Sequence, residues 1–151
     1  MLNMNFDERL AINTQMQEWQ ASPSSTVWRK PLEREAKESG HTTSVVKYEA
    51  GASFKQHSHP YGEEILVLEG VFSDEHGDFG PGTYIRNPID TSHTPFSKQG
   101  CTIFVKLWQM HQSDVKPVNI DMGTATWCPG GSAGIEYLSL YESDNEIVMS
   151  E

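Results

Sequence analysis

The stretch GASFKQHSHPYGEEILVLEG occupies residues 51–70 and carries the pattern from which the fold can be predicted. Its second half, EEILVLE at 63–69, is the strongest apolar run in the first half of the chain, and Gly70 ends it. The residues from Phe54 to His59 have an extended pattern, and the turn-forming residues 60–62 separate the two segments. Two extended segments joined by a short turn predict β-strands.

The same stretch contains side chains that bind metals. His57 and His59 are separated by one residue, so on a strand both imidazoles point to the same face. Glu63 opens the next strand and can add an oxygen ligand, and His93 would complete a set of three nitrogens and one oxygen at about 2.0–2.2 Å. The sequence therefore predicts one divalent metal ion, and zinc, iron, manganese and nickel all suit these ligands. A single His-x-His pair would be weak evidence, and the prediction rests on the four residues together.

The other histidines and the cysteines have simpler interpretations. His41, His76 and His111 stand alone beside polar residues and are predicted to be solvated surface groups. Cys101 and Cys128 are too few for a disulfide framework, so each is predicted to be an isolated thiol. Cys101 opens an apolar strand and should behave as a small hydrophobic residue.

Short alternating runs broken by turn residues continue on both sides of residues 51–70 and predict an all-β, antiparallel fold. Further strands are expected at 42–48, 83–86 and 102–110, with a hairpin turn at 74–78. In the last strand, alternation separates two faces: Cys101, Ile103, Val105 and Leu107 on one, and Thr102, Phe104, Lys106 and Trp108 on the other. Both faces carry bulky side chains, so one should line a barrel and the other should meet a second layer or a second subunit.

Composition limits the classes of partner. The chain has 151 residues, enough for one domain, and 11 basic against 21 acidic residues give a net charge of -10. Such a surface repels nucleic acids and anionic membranes, so neither is an expected partner. The first residues have neither the basic nor the apolar region of a signal peptide, and no apolar stretch is long enough to span a membrane, so a cytoplasmic location is expected.

The spacing of these residues resembles that of the cupin superfamily. Residues 51–70 are similar to the first cupin motif, with its glycines at Gly51 and Gly70 and its ligands at His57, His59 and Glu63. Residues 82–97 are similar to the second motif at Gly82, Pro88 and His93, but Asp90 stands where the family usually has Gly, and Ser97 where it has Asn. The resemblance implies an antiparallel double-stranded β-helix, the jelly-roll or RmlC-like barrel. The two departures concern loop geometry more than the metal ligands.

Residues 57–88 and 91–109 resemble, more narrowly, the ChrR-type cupin-like domain. This domain is known as the C-terminal half of a zinc-binding anti-sigma factor and as a free-standing module. The resemblance implies a sensory or regulatory role in the response to oxidants and favours zinc as the ion. The sigma-binding domain of the two-domain proteins has its own His/Cys zinc site. The pattern HxxxCxxC does not occur here and the barrel pattern starts by about residue 10, so sequestration of a sigma factor is not expected.

Two alternatives stay open, and with them the question of enzymatic activity. A tetrahedral zinc ion bound by all four residues would have no open coordination position. An octahedral iron or manganese ion bound by the same residues would keep about two of its six coordination positions free. The second alternative is therefore a cupin dioxygenase that uses Fe(II) on a small enolisable or diketone-like compound. A metal-stabilised binding or storage module without turnover is a third. The expected partners are a second copy of the chain, as in other cupins, and a small molecule at the metal.

Five further residues are candidate neighbours of the metal. Alternation puts Glu64 on the face opposite Glu63, so Glu64 is expected to be a surface or salt-bridge residue. The candidates are Tyr61, Glu64, Tyr84, Arg86 and Lys106.

The two ends of the chain show a weak internal similarity at an offset of 108 residues. Four pairs match: Ile12 with Ile120, Trp19 with Trp127, Val27 with Ile135, and Leu32 with Leu140. We predict a cupin barrel over 1–117 and a strand-forming tail over 118–151, which we interpret as the start of a second cupin module. Chance similarity between two short β segments is the alternative.

Overall fold

The computed structural model of the chain describes residues 1–143 and 146–151. Within these residues a single 3-10 turn, Thr14–Met16, precedes the strands. The strands are β1 (Gln20–Ala21), β2 (Val27–Arg34), β3 (Thr42–Tyr48), β4 (Ala52–Ser53), β5 (His57–Ser58), β6 (Glu63–Gly70), β7 (Phe72–Asp74), β8 (Gly77–Phe79), β9 (Thr83–Asn87), β10 (Ser92–His93), β11 (Phe96–Ser97), β12 (Cys101–Leu107), β13 (Val118–Asp121), β14 (Cys128–Pro129), β15 (Glu136–Glu142) and β16 (Ile147–Ser150).

The strands form antiparallel sheets, which confirms the predicted all-β fold. The largest sheet has seven strands in the order β1-β2-β3-β12-β6-β9-β13. Opposite it lie a four-stranded sheet, β4-β11-β7-β8, and the two-stranded pair β10-β5. None of the helical segments described has the length and apolarity needed to cross a bilayer.

The core lies between these layers. Val46, Ile65 and Ile103 from the large sheet pack with Phe72 and Phe79 from the four-stranded sheet, and all five are buried. In β12 the predicted alternation is confirmed, because its odd-numbered residues belong to this core while its even-numbered residues face outward. A barrel lined by one face of each strand results.

Two features of β6 and β12 were not predicted. Gly70 has a φ of 72°, and a Cβ there would lie 2.1 Å from the carbonyl oxygen of Gly100, so only glycine fits. Strand β12 was predicted to continue to residue 110, but it ends at Leu107 because Trp108 adopts a left-handed φ of 63°. The indole consequently lines the barrel cavity and not the outer face on which alternation had put it.

The C-terminal region lies against the same barrel. Strand β13 pairs with β9 at the edge of the large sheet, and β14, β15 and β16 form a small sheet of their own. Leu138 and Leu140 of β15 pack on Tyr84, which projects from the outer face of β9. Both faces of β9 are therefore buried, the inner one by the barrel core and the outer one by the tail. That the tail begins a second module stays a prediction.

Candidate metal centre

Three short elements bring the predicted ligands together. Strands β5 and β10 pair so that His57 lies directly opposite His93. His59 follows β5, where its amide donates to the carbonyl of Thr91 at 3.0 Å, and Glu63 is the first residue of β6. Alternation along β6 gives Glu63 the same inward direction as Ile65 in the core.

The four side chains converge on one point. One ligand atom from each of His57, His59, Glu63 and His93 lies within 4.8 Å of the others. Oε2 of Glu63 is 3.3 Å from Nε2 of His59 and 3.4 Å from Nε2 of His93. Ligand atoms about 2.1 Å from a shared ion lie roughly 3–3.5 Å apart, so these distances suit a metal ion.

The hydrogen bonding of the rings provides an independent test of fit. The Nε2 atoms of His59 and His93 are buried, and no described residue forms a hydrogen bond with either. Buried polar atoms without partners are rare and costly. A cation between these nitrogens and the Glu63 carboxylate would satisfy both, so the residues present fit a metal ion.

The other ring nitrogens have partners that orient the rings. Nδ1 of His57 donates to the carbonyl of Lys55 at 3.1 Å, and Nδ1 of His59 donates to Oγ1 of Thr91 at 3.3 Å. Nδ1 of His93 donates to the carboxylate of Asp74 at 3.2 Å. Each bond fixes the tautomer that leaves Nε2 as the metal-binding lone pair.

Burial makes this cluster electrostatically unsatisfied without a cation. Desolvation, followed by the charges of His93 and His57, lowers the pKa of His59 to about 3. Desolvation also lowers the pKa of His93 and raises the pKa of Glu63 to about 7, where the hydrogen bond from Asn87 opposes it. The two imidazoles are thus held neutral, the form in which histidine binds metals.

Sequence reasoning missed two residues that support the ligands. Nδ2 of Asn87 donates to Oε2 of Glu63 at 3.0 Å, and Asp74 accepts from His93. Asn87 could have been found, because alternation along β9 gives it the same inward face as Ile85 and it precedes Pro88 of the second motif. No local signal identifies Asp74, which reads as a turn residue.

Three of the five candidate neighbours of the metal, Tyr84, Arg86 and Lys106, lie on the face of the sheet opposite the metal centre. Arg86 is fully buried on the outer face, with Nη1 2.8 Å from Oε1 of Glu64, and Tyr84 donates to the same oxygen at 2.5 Å. Lys106 lies 3.4 Å from Oε2 of Glu64. The cause is alternation: Glu64 pairs with Arg86 across the strands, as Glu63 pairs with Asn87.

Glu64 is a salt-bridge residue on the opposite face, as predicted, but it is only 4% exposed, because Tyr84, Arg86 and Lys106 surround its carboxylate. Arg86 also bonds Asp114 and Glu146, and Tyr141 donates to Asp114 at 2.7 Å. These contacts connect the tail to the barrel. The fifth candidate, Tyr61, is 43% exposed and packs on Trp108 with ring centroids 4.8 Å apart.

The loop of the second motif contains the two departures from the cupin pattern. Asp90, where glycine is usual, has a φ of 64°, a left-handed conformation that Asp tolerates better than most residues. Its amide donates to the carbonyl of His59 at 3.2 Å, so the loop supports a ligand. Ser97, where Asn is usual, is fully buried and donates to the carbonyl of Val71 at 2.6 Å. Both substitutions therefore preserve the geometry.

The remaining histidines and cysteines mostly follow prediction. Both cysteines are free thiols, Cys101 buried and Cys128 exposed. His76 is exposed, and His111 is exposed but shares a hydrogen bond of 2.8 Å with Ser113. His41 was predicted to be a solvated surface group, but it is half-buried and its Nε2 lies 2.8 Å from a carboxylate oxygen of Glu33 on β2.

A cavity of about 680 Å³ opens beside the centre, and His57 and Glu63 form part of its wall. Apolar residues of β3 and β12, including Val46, Ile103 and Val105, form its inner surface. This volume is in the range typical of small-molecule sites. The metal position is therefore accessible to a ligand from the barrel interior.

Comparisons with solved structures support the fold. ChrR from Rhodobacter sphaeroides, in complex with SigE, matches with a TM-score of 0.53 and 22% identity over 63% of this chain, which spans only 51% of that chain. An RmlC-like cupin from Ralstonia eutropha JMP134 has a TM-score of 0.59 and 18% identity, covering 80% of this chain and 78% of its own. A candidate acetylacetone dioxygenase from Methylibium petroleiphilum PM1 has a TM-score of 0.59 and 15% identity, covering 75% and 90%.

The comparison with protein families is more specific. No curated protein sequence matches this chain. The family described as the ChrR Cupin-like domain matches residues 7–111, which include both motifs, all four candidate ligands and the supporting residues Asp74 and Asn87. With the cupin fold of the solved structures and the His/Glu cluster inside the barrel, this match shows that the chain belongs to the ChrR Cupin-like domain family.

Proposed function

We propose that this chain binds one divalent metal ion through His57, His59, Glu63 and His93, and that a small molecule in the adjoining cavity binds to the same ion. The observation that carries the proposal is that the cavity wall includes His57 and Glu63, two of the four ligands. A purely structural ion needs no such access, because its coordination is complete within the protein.

An open site of this kind favours a metal-dependent oxidoreductase, and the reaction class we propose is an Fe(II) dioxygenase acting on a small enolisable or diketone-like compound. Bound iron would supply a Lewis acid and a one-electron redox centre with about two open positions. The chain's own groups fix the geometry. Asn87 and Asp74 hold the carboxylate of Glu63 and the ring of His93, and apolar residues such as Val46, Ile103 and Val105 line the cavity beside them.

A second candidate function is supported by the family match. Residues 7–111 match the ChrR Cupin-like domain family, and this match supports a sensory or regulatory role in which the protein responds to oxidants. Zinc is the ion we propose for this role, with a response that follows loss or oxidation of a ligand. ChrR itself is an anti-sigma protein in complex with SigE, and we do not extend that partner to this chain.

One experiment separates the two candidates. The protein is purified without added metal, its metal content is measured, and the iron form is then tested for oxygen uptake with a panel of enolates and diketones. Oxygen uptake that requires iron and one class of substrate supports the dioxygenase. Stoichiometric zinc without oxygen uptake on any compound eliminates the dioxygenase and supports the sensor.

The ligand set itself is tested by His93→Ala, with His76→Ala as the matched control at an exposed histidine. We expect the first variant to lose most of its metal and the second to keep it. Unchanged metal content in His93→Ala would mean that His93 is not a ligand.

We also propose that the chain forms a homodimer and acts in the cytoplasm, which sedimentation and cell fractionation would test.

A further inference from the structure

The charges around the cavity are distributed unevenly for so acidic a protein. Four of the chain's 11 basic residues line it, against two of its 21 acidic residues, one of which is the candidate ligand Glu63. The four basic residues are Arg29, Arg34, Lys37 and Lys55. A protein with a net charge of -10 therefore concentrates positive charge where a ligand would enter.

The register of the large sheet orients the Arg29 side chain toward the cavity. Arg29 pairs across the strands with Val46, which pairs with Ile103, and both of these are core residues of the inner face. Arg34 pairs with Thr42 on β3, Thr42 pairs with Leu107 on β12, and Leu107 pairs with Glu63 on β6, so these four residues lie side by side across the sheet. Three strand spacings of about 4.8 Å separate the backbones of β2 and β6, so the backbone of Arg34 lies roughly 14 Å from that of Glu63. Arg29 lies farther from Glu63, because it is aligned with Val67, four residues further along β6.

The hydroxyl of Tyr48 is a further polar group of the cavity wall. Tyr48 lines the cavity, is only 7% exposed, and makes no hydrogen bond through its hydroxyl with any described residue. Burial and the charge of Glu63 raise the pKa of Tyr48, whereas Arg29 lowers it, so the phenol is influenced by both ends of the cavity. A hydroxyl that lines a cavity and has no partner in the protein is able to hydrogen-bond a ligand there.

Arg29 already holds a carboxylate. Its Nη1 lies 3.0 Å from Oε2 of Glu38, which belongs to the β2–β3 loop and is itself 47% exposed. An ion pair this exposed is weak, so a carboxylate arriving from the cavity can replace Glu38. Arginine is suited to the exchange, because its planar guanidinium binds carboxylates through two parallel hydrogen bonds.

We infer that the cavity takes a small organic anion that binds the metal at one end and places a carboxylate on Arg29 and Arg34 at the other, past the Tyr48 hydroxyl. This inference rests on the proposed function, because one end of the ligand needs the ion. It adds the chemical class of the ligand: an elongated molecule with an apolar middle and an anionic group far from the metal. Glu38 occupies the position of that group in the absence of ligand.

The test uses the full chain loaded with Co²⁺, whose visible absorption reports on binding at the metal. Linear dicarboxylates from succinate to suberate are titrated by calorimetry and absorption, each against the monocarboxylate of equal length, from butyrate to octanoate. We expect at least one dicarboxylate to bind about tenfold more tightly than its partner, as a charge-assisted hydrogen bond predicts. Equal affinity of both members at every length would overturn the inference.

Variants locate the remote end. Arg29→Gln and Arg34→Gln should each remove most of the preference for dicarboxylates while metal content stays unchanged. Glu38→Gln should increase it, because the internal competitor is gone. Arg9→Gln is the matched control, since Arg9 is exposed and is not part of the cavity wall. Full preference retained in both arginine variants would contradict the inference.

The two proposals fail in different ways. If the protein binds no Co²⁺, the proposed metal function is wrong. If it binds Co²⁺ at His57, His59, Glu63 and His93 but shows no preference for a second carboxylate, the metal function stands and the ligand class is wrong.

Discussion

Each candidate histidine ligand has one ring nitrogen committed to a hydrogen bond, and the bond of His93 is the one that involves a charge. Asp74 is 7% exposed, so its carboxylate holds the imidazole in an environment that is nearly dry. Such a partner fixes the ring and makes Nε2 a stronger donor to a metal.

We expect Asp74→Asn to weaken metal affinity by about 10–100-fold, the range found when such partners of ligands are removed. Competition with a chromogenic chelator measures the affinity. Asp7→Asn, at an exposed position, is the control and should bind metal like the unmodified protein. An Asp74→Asn protein with unaltered affinity would show that the contact does not orient His93.

The pKa of Glu63 gives metal binding a defined pH dependence. The carboxyl is protonated in part below about pH 7, whereas the pKa of His59 is lowered to about 3 and that of His93 is also lowered. The ion must displace the Glu63 proton, so this residue should contribute about a tenfold rise in affinity per pH unit below pH 7 and nothing further above it.

Calorimetry in buffers with different ionisation enthalpies counts the protons released. Near pH 6, the Glu63→Gln protein should release about one proton fewer per ion than the unmodified chain, and above pH 8 the two should differ little. If the variant and the unmodified chain release equal numbers of protons at both pH values, Glu63 is already ionised in the metal-free protein.

The candidate ligands could be predicted from the sequence because their spacing is local. His57 and His59 share a strand face, Glu63 follows one turn later, and the motif around Pro88 identifies His93. Their surroundings could not, since Asp74 reaches His93 from another hairpin. The outward direction of Arg86 depends on the pairing of β6 with β9, which the sequence alone does not fix.

At the scale of elements, the loop between β9 and β10 connects the two motifs. Asp90 holds a left-handed conformation within it, and its side chain makes no hydrogen bond with any described residue. The backbone angle is therefore the main requirement at this position, and a residue that resists the angle should distort the loop under His59.

We expect Asp90→Gly to change the free energy of unfolding by less than about 0.5 kcal/mol and Asp90→Val to lower it by about 1–2 kcal/mol. Urea unfolding of the metal-free proteins measures both. Asp90→Val should also bind metal less tightly, because the amide of residue 90 bonds His59. If valine proves as stable as glycine here, the loop does not need the left-handed angle.

Elements with local signals were predicted well. Thr42–Tyr48 agrees with its predicted bounds, and the turn at 74–78 joins β7 to β8 as expected. The first strand begins at Gln20, later than the pattern had indicated, after a 3-10 turn. Strand β12 ends before Trp108, which has a left-handed φ and donates its amide to the carbonyl of Gly62 at 3.1 Å, a long-range contact that composition alone does not reveal.

For the molecule as a whole, the large sheet carries the metal centre on one face and the C-terminal tail on the other. Glu63 and Glu64 are consecutive residues of β6, one directed to the candidate ion and one to Arg86 beneath the tail. Because both attachments share one sheet, we expect barrel and tail to unfold together.

Metal at about 100 times its dissociation constant should stabilise the fold by about 2.7 kcal/mol and raise the Tm by roughly 5–10 °C. Leu140→Ala should cost about 2–5 kcal/mol through the cavity it leaves under the tail. It should keep the same metal-induced rise, because the two sites are on opposite faces. Calorimetry with and without chelator measures both effects, and two separate transitions would show that the tail unfolds on its own.

The chain has no disulfide bond, since both cysteines are free, so a bound metal ion would be a cross-link between distant parts of the chain. His57 and His93 lie on the small β5–β10 pair and Glu63 on the large sheet, so a bound ion cross-links two sheets reversibly. Protein without metal would be unfolded for a larger fraction of the time, and cellular proteases remove the unfolded fraction. The amount of this protein in a cell would then rise and fall with the supply of metal, through its rate of degradation alone.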